Sequence, residues 1–187
     1  MMVTIASLWL AIVLSAVIVW LASFVVWAVL PYHKTDYKGL PDEEAARNAL
    51  KPQDLAPGQY NIPNVASRSD LNKPEVKKKF EEGPVAFMTV LPKGVPAMGK
   101  SMVLSFVFYL VVSFLVAYLA SRTLERGAEY LEVFRMVGTA TWLAYGMGIV
   151  QDAIWFGRPW SAIAKNLLDA LIYGLLTAGV FGWLWPG

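Results

Sequence analysis

Ionisable residues within apolar stretches are the first candidates for chemistry in this sequence. Asp152 lies near the end of one apolar run, and Asp169 lies inside the next, four residues after Lys165. Residues four apart lie on one face of a helix, so Lys165 and Asp169 are predicted to face the same neighbour. A charge in an apolar setting is costly unless it is paired, and such residues therefore serve as structural pairs or as functional sites.

Both interpretations stay open for Asp152 and Asp169. If the two runs form a hairpin with its tip at Gly157, residues equidistant from the tip lie level with each other. Asp152 is then predicted to pair with Lys165 or Arg158. The alternative for both carboxylates is a proton path or a cation site, although the sequence has no third carboxylate deeper in the runs to continue such a path.

The same hairpin geometry predicts the partners of Asp169. Tyr145 falls level with Asp169 across the hairpin, and Asn166 lies one turn before it. We therefore expect Asp169 to accept a structural hydrogen bond from Tyr145 or Asn166. Such a bond satisfies a carboxylate that has no water to bind.

His33 is the single histidine of the chain, which also has no cysteine. These counts exclude disulfides, thiolate metal sites, a His-pair metal site and a bis-His haem within the chain. A lone histidine beside interfacial tyrosine and lysine is typical of an anchor at the membrane surface. His33 is a candidate cofactor ligand only together with a partner chain, and we expect no metal and no cofactor otherwise.

No catalytic motif is present. The chain lacks a Walker loop, a GxSxG turn, an HExxH helix and a dinucleotide fingerprint. We therefore expect no catalytic residue and no enzymatic activity.

The composition indicates a membrane protein. Hydrophobic residues make up 57% of the 187 residues and charged residues only 16%, with a mean hydropathy of +0.48. A soluble domain of this length carries more charge. The net charge of +2 is too small to indicate binding to nucleic acid.

Four apolar runs position these residues, and each is near the length of about 20 residues that a helix needs to cross a bilayer. They cover residues 1–30, 101–121, 133–154 and 162–185. Because lipid cannot satisfy backbone groups, such runs must be helical. The sequence therefore predicts an all-α membrane protein with four transmembrane helices. Residues 101–187 contain the last three of them.

The polar segment 31–100 joins the first and second predicted helices. It contains two short helical patterns, "DEEAARNALK" and "KPEVKKKFEE", and two stretches that alternate enough to pair as strands, "GQYNIP" and "VAFMTVLP". We predict a small extramembrane α+β subdomain here. Because it is too short to hold a large core, it is expected to pack on the bilayer, on the helices or on a partner.

The stretch "WFGRPW" predicts a tight turn between the third and fourth helices. Gly157 can end a helix in the left-handed conformation, and Pro159 fits the first turn of the next helix. Arg158 and Trp160 complete this interfacial turn. Tryptophan at headgroup depth is typical of membrane proteins.

Small residues at spacing four predict that the helices pack closely, because such faces let backbones approach each other. The predicted packing positions in the third and fourth helices are Gly148, Gly174, Ala178 and Gly182. A tight four-helix bundle leaves little room for a solute pathway.

Four spans place both termini on one side of the membrane and segment 31–100 on the other. Lysine and arginine near helix ends are more numerous on the side of segment 31–100. The positive-inside rule therefore favours a cytoplasmic location for that segment.

The end of the chain resembles that of small four-helix bacterial membrane proteins grouped as a domain of unknown function. They share a Gly-Arg-Pro-Trp turn, polar residues early in the last helix and a Trp-Pro end. The matching positions are Gly157, Arg158, Pro159, Trp160, Asn166, Tyr173, Trp185 and Pro186. The resemblance covers roughly the last third, and segment 31–100 departs from the shorter family pattern. It implies a bacterial inner membrane and no particular activity.

Two functions follow as hypotheses. The first is a non-catalytic accessory or assembly subunit of a larger membrane complex, whose partners are lipids and other membrane proteins rather than nucleic acid. Trp20, in the middle of an uncharged run, is expected to need a hydrogen-bond partner from another helix, a lipid or a cofactor. The alternative is a small transporter or channel that uses a polar seam between the third and fourth helices.

Overall fold

A computed structural model describes residues 3–187 and divides the chain into two units. The helical unit comprises Met1–Lys38 and Ala97–Gly187, and the loop unit comprises Gly39–Pro96. Residues 31–38, which the sequence assigned to the extramembrane segment, belong to the helical unit. This boundary matters because Tyr32, His33 and Asp36 of the candidate site lie there.

Four helices are long and apolar enough to cross a membrane, as the sequence predicts. They extend over Ile5–Val29, Met98–Thr123, Tyr130–Phe156 and Trp160–Trp183. Three of them contain the α-helices α1 (Trp9–Phe24), α4 (Met98–Thr123) and α7 (Trp160–Trp183). The third is interrupted: α5 (Tyr130–Gly146) and α6 (Val150–Phe156) are joined by the 3-10 turn Met147–Ile149.

The first long helix ends in a change of winding. A π-helical turn, Val25–Val29, follows α1, and the 3-10 turn Pro31–Thr35 comes next. Leu30 between them is extended, with φ −75° and ψ 137°, as a residue before proline tends to be. This bend redirects the chain, so the Pro31–Thr35 turn lies against α7 instead of continuing the helix.

Gly157 ends α6 with a φ of +68°, the left-handed cap that the sequence predicts. The backbone N–H of Arg158 donates to the Asp152 carbonyl over 3.2 Å and closes the turn. The prediction for Pro159 was one position off: it precedes α7 with an extended ψ of 132°, and Trp160 is the first helical residue.

The closest helix contact joins α5 and α7 through their glycines. A Cβ added at Gly174 would lie 3.1 Å from the Gly138 carbonyl oxygen, and one at Gly182 would lie 2.6 Å from the Tyr130 ring. Ala178 is fully buried in this contact. The prediction for Gly148 was wrong, because it lies in the 3-10 turn with nothing within 4 Å of an added Cβ.

Hydrogen bonds join α1 to α4. The Ser15 and Ser113 hydroxyls lie 2.6 Å apart in the core, and Ser113 also donates to the Ile12 carbonyl over 3.0 Å. The Trp20 indole N–H donates to the Met102 carbonyl over 3.2 Å. Trp20 therefore finds its partner within the chain and needs no other protein or cofactor.

The loop unit contains the two predicted helices and the predicted strand pair. Strands β1 (Gly58–Ile62) and β2 (Ala86–Val90) are antiparallel, with Tyr60 opposite Met88. Helix α2 (Glu43–Leu50) is capped by Asp42, whose carboxylate accepts from the Ala45 N–H over 2.8 Å. Helix α3 (Pro74–Glu82) begins at a proline, which suits the first position of a helix.

The glycine contact predicts that the same change, glycine to leucine, has different effects on stability at two positions. Gly174→Leu should lower the free energy of unfolding by roughly a few kcal/mol, because its side chain would meet backbone atoms of α5. Gly148→Leu is the matched control and should be tolerated, since space is open there. Thermal unfolding in detergent measures both variants. Equal stability would contradict the assigned contact.

Candidate functional site

The candidate site lies where the Pro31–Thr35 turn meets α7, and all of its residues belong to the helical unit. The turn supplies Tyr32 and His33, and Asp36 follows directly. Lys165 and Asp169, one helical turn apart, face them from α7. Residues distant in the sequence thus form one buried polar cluster, which we call the His33 cluster.

His33 lies between two carboxylates. Its Nδ1 is 2.7 Å from Asp36 Oδ2, and its Nε2 is 2.9 Å from Asp169 Oδ2. The exposed fraction is 6% for His33 and 3% for Asp169. At these distances both ring nitrogens are hydrogen-bonded, and water has little access to either bond.

Lys165 supplies the positive charge on the outer side of the cluster. Its Nζ donates to Asp36 Oδ1 over 2.6 Å, to the Tyr32 carbonyl over 2.6 Å and to Thr35 Oγ1 over 2.7 Å. All three of its N–H donors are therefore used. Lys165 both balances Asp36 and holds the turn onto α7.

Asp169 has partners that the sequence did not predict. Tyr32 Oη donates to its Oδ1, while His33 contacts its Oδ2. The prediction of Tyr145 or Asn166 was wrong: the Asn166 amide donates to the Ala162 carbonyl over 2.7 Å. The turn folds back onto α7 and brings two side chains, Tyr32 and His33, to the Asp169 carboxylate.

Trp27 covers one face of the histidine. The two rings are stacked, with centroids 3.8 Å apart and planes inclined by 5°. Trp27 belongs to the π-helical turn, which sets the angle of this indole. A single-turn π-helix within a helix is often found at a functional site.

Three tyrosines lie on the inner side of the cluster. The rings of Tyr109, Tyr145 and Tyr173 are mutually inclined, with centroids between 5.8 and 6.3 Å apart. Tyr173 follows Asp169 by one helical turn and interacts with it electrostatically. In the described part of the chain, the buried Tyr173 Oη and Thr141 Oγ1 have no hydrogen-bond partner.

Asp152 lies outside the cluster. Its nearest cation is Arg158, with 3.7 Å between Oδ2 and Nη1, which is one of the two predicted partners. Lys165, the other, binds Asp36 instead. The Asp152 side chain is 47% exposed, and an exposed pair of this kind contributes about 0–1 kcal/mol.

The geometry limits what the cluster can bind. Among residues 3–187, no three side chains of His, Asp or Glu converge as metal ligands, because the two carboxylates lie on opposite sides of the imidazole. Both nitrogens of His33 are also engaged, so neither is free for a haem iron. The suggestion that His33 binds a cofactor with a partner chain therefore does not fit this arrangement. Its chemistry is that of protons and charges.

Sequence reasoning missed the roles of Tyr32, Asp36 and Trp27. The spacing of His33 and Asp36, three apart directly after a proline, was a usable indication of a local pair. The link to Asp169 had no sequence indication, since it depends on the bend at Leu30. No family model, curated protein or solved structure matches the chain. The resemblance of its last third to a four-helix family therefore stays a prediction.

The Asp36 carboxylate should make stability depend on pH. Its pKa is lowered from 3.8, first by the hydrogen bond from Lys165 and then by that from His33. A lowered pKa in the folded state stabilises the protein above the ordinary Asp range, and this contribution is lost as the pH falls through that range. We expect the thermal midpoint in detergent to fall between pH 5 and pH 3.

Asp36→Asn tests the origin of that fall. It leaves Lys165, whose side chain is 22% exposed, without its anion, and losing one partner of a partly buried ion pair should destabilise the protein. The variant should therefore be less stable at pH 7 and lose less stability on acidification. Asp152→Asn, at an exposed pair, is the control. An unchanged acid profile in Asp36→Asn would show that other groups cause the fall.

Proposed function

We propose that this chain is a non-catalytic integral membrane protein of a bacterial inner membrane, acting as an accessory or assembly subunit of a larger complex. The observation that carries the proposal is the burial pattern of the loop unit. None of its residues, Gly39–Pro96, is fully buried, although all of them are described. The helical unit, in contrast, has a continuous apolar core.

A unit of this length ordinarily needs a core or a partner. Domains of about 60 residues bury about 60% of the surface that their unfolded chains expose. Here large apolar side chains stay on the surface, with Val95 at 96% and Leu91 at 66% exposure. Covering these side chains would supply the apolar burial that the unit lacks, which favours a docking role.

The charge of the loop unit favours a protein as the partner. The unit has eight acidic and eight basic residues, so its net charge is zero. Binding to anionic lipid is driven by an excess of lysine and arginine, worth about 1 kcal/mol for each residue near the surface. A neutral unit gains little from such a surface, whereas apolar contacts with a protein do not require net charge.

The His33 cluster holds the chain to the helical unit just before the loop unit begins. Asp36 lies three residues before Gly39, where that unit begins. Lys165 and Asp169 therefore hold the chain to α7 close to the point where it leaves the helical unit.

The close packing of α5 and α7 counts against the alternative function. A transporter or channel with a polar seam between the third and fourth long helices needs space there. An added Cβ at Gly138 would lie 3.2 Å from Ala178 Cβ, which leaves no room between the helices at this level. The buried ionisable groups instead lie between α7 and the Pro31–Thr35 turn.

We further propose that the four long helices span the membrane, with both termini on one side and the loop unit on the other, in the cytoplasm. A reporter fused after Gly187 and another inserted at Asn64 should then report opposite compartments. Alkaline phosphatase and a fluorescent protein, each placed at both sites, provide reciprocal readouts. The same compartment at both positions would contradict the four-span topology.

The accessory role predicts partners that depend on the loop unit. Purification from native membranes in a mild detergent should retain larger proteins in fixed stoichiometry, as measured by native gels and mass spectrometry. Leu91→Asp combined with Val95→Asp should release them, because a carboxylate at either position opposes apolar contact. Gln59→Asp, an exposed position on β1, is the control for added charge.

Two results would overturn this assignment. One is a lone species of 20.7 kDa chain mass, after allowance for detergent, that milder detergent leaves unchanged. The other is retention of the same partners by the double variant. Loss of binding to protein-free vesicles in that variant, without any protein partner, would assign the surface to lipid instead.

A further inference from the structure

The imidazole of His33 is positioned to share a proton with both of its neighbours. A carboxylate oxygen lies within hydrogen-bond distance of each ring nitrogen, at 2.7 Å and 2.9 Å. A neutral imidazole has one N–H donor and one bare nitrogen. It therefore cannot donate to two carboxylates at once, and the second contact needs one more proton.

Counting protons gives three arrangements of equal composition. The ring carries both protons between two carboxylates, or it carries one and either Asp169 or Asp36 is a carboxylic acid that donates to the bare nitrogen. These arrangements differ only in where a single proton lies along bonds shorter than 3 Å. These distances are those of charge-assisted hydrogen bonds, so each ring nitrogen and its carboxylate oxygen lie in position to exchange a proton directly.

We propose that Asp169, His33 and Asp36 form a proton-binding site that relays a proton between the interior of the helical unit and its surface. In the outward step, the O–H bond of Asp169 breaks as an Nε2–H bond forms. The Nδ1–H bond of His33 then breaks as an O–H bond forms on Asp36. One proton is gained and one is lost by the ring, and no other reactant is needed.

The groups around the cluster distinguish its two ends. At the outer end, Lys165 donates to Asp36 Oδ1 and favours the Asp36 anion, so a proton on Asp36 is held weakly and is ready to leave. The Lys165 side chain is 22% exposed, which gives this end contact with solvent. Asp36 is therefore the exit. Because Tyr32 donates to Asp169 and Lys165 donates to Asp36, both carboxylates are favoured as anions, and the proton rests mainly on the His33 ring.

At the inner end, Tyr32 donates to Asp169 Oδ1, and Tyr173 lies one helical turn beyond it. The buried Tyr173 hydroxyl has no partner of good hydrogen-bond geometry among the described residues, and the Trp27 indole is its polar neighbour. The Tyr173 ring contacts the rings of Tyr145 in α5 and Tyr109 in α4. From the first long helix, the uncharged Trp27 packs against His33. The phenols can extend the path, and no further carboxylate competes for the proton.

The single histidine makes this site directly observable. Labelling histidine with ¹⁵N at both ring nitrogens yields one pair of signals, because His33 is the only histidine in the chain. The protein is measured in lipid nanodiscs at pH 7.5. We expect the ¹⁵N chemical shifts of both ring nitrogens to be those of nitrogens that carry a proton for all or part of the time. A fixed unprotonated signal at either nitrogen in the wild type would overturn the relay.

Two variants should fix the ring in opposite tautomers. In Asp169→Asn the remaining carboxylate is Asp36, so the proton should stay on Nδ1 and Nε2 should become unprotonated. In Asp36→Asn the proton should stay on Nε2 and Nδ1 should become unprotonated. Asp152→Asn, outside the cluster, should leave both signals unchanged.

A ring that keeps both protons in both variants would refute the sharing of the proton with the carboxylates. The same tautomer in both variants would refute the relay as well. Helix content by circular dichroism identifies any variant that fails to fold, and in that case the wild-type spectrum alone decides. The accessory role can fail in the purification experiment without affecting this result, since the relay rests only on residues of the helical unit.

Discussion

The arrangement of the helical unit depends on pairing charged groups that have little or no access to water. Removing an ion from water costs several kcal/mol even after relaxation of its surroundings. His33, Asp36, Asp169 and Lys165 meet this cost by contacting one another, so that each charge has an opposite or protonated neighbour within 3 Å. With the Pro31–Thr35 turn on α7, the turn and the adjacent Asp36 satisfy Asp169 and Lys165 together.

This requirement explains the irregular end of the first long helix. A regular helix continued through Leu30 would carry Tyr32 and His33 onward along its own axis. The π-helical turn and the extended Leu30 bend the chain, and they also place the Trp27 ring flat against His33. The irregular end of the first long helix thus lies beside the buried charges, because the bend is what brings His33 to α7.

The two units are stabilised in different ways. In the helical unit, glycines bring α5 and α7 into contact, and the core extends across α1, α4, α5 and α7. Within the loop unit, a two-stranded sheet and local helix caps provide order without fully buried side chains. Two strands alone are marginally stable in water. The difference is what makes an external contact for the loop unit a reasonable proposal.

The sequence by itself determined the elements of this protein, because apolar periodicity, proline and glycine act locally. The four long helices, the Gly157 cap and each of the two strands could be predicted from stretches of fewer than 30 residues. Only the tertiary structure decided the partners. Asp169 meets His33 across a separation of 136 residues. Pro31 favours the extended Leu30, but nothing in either local stretch specifies that the chain then folds back onto α7. Gly148 illustrates the same limit: a regular spacing of small residues indicated a contact, but the 3-10 turn at Met147–Ile149 moved that residue away from it.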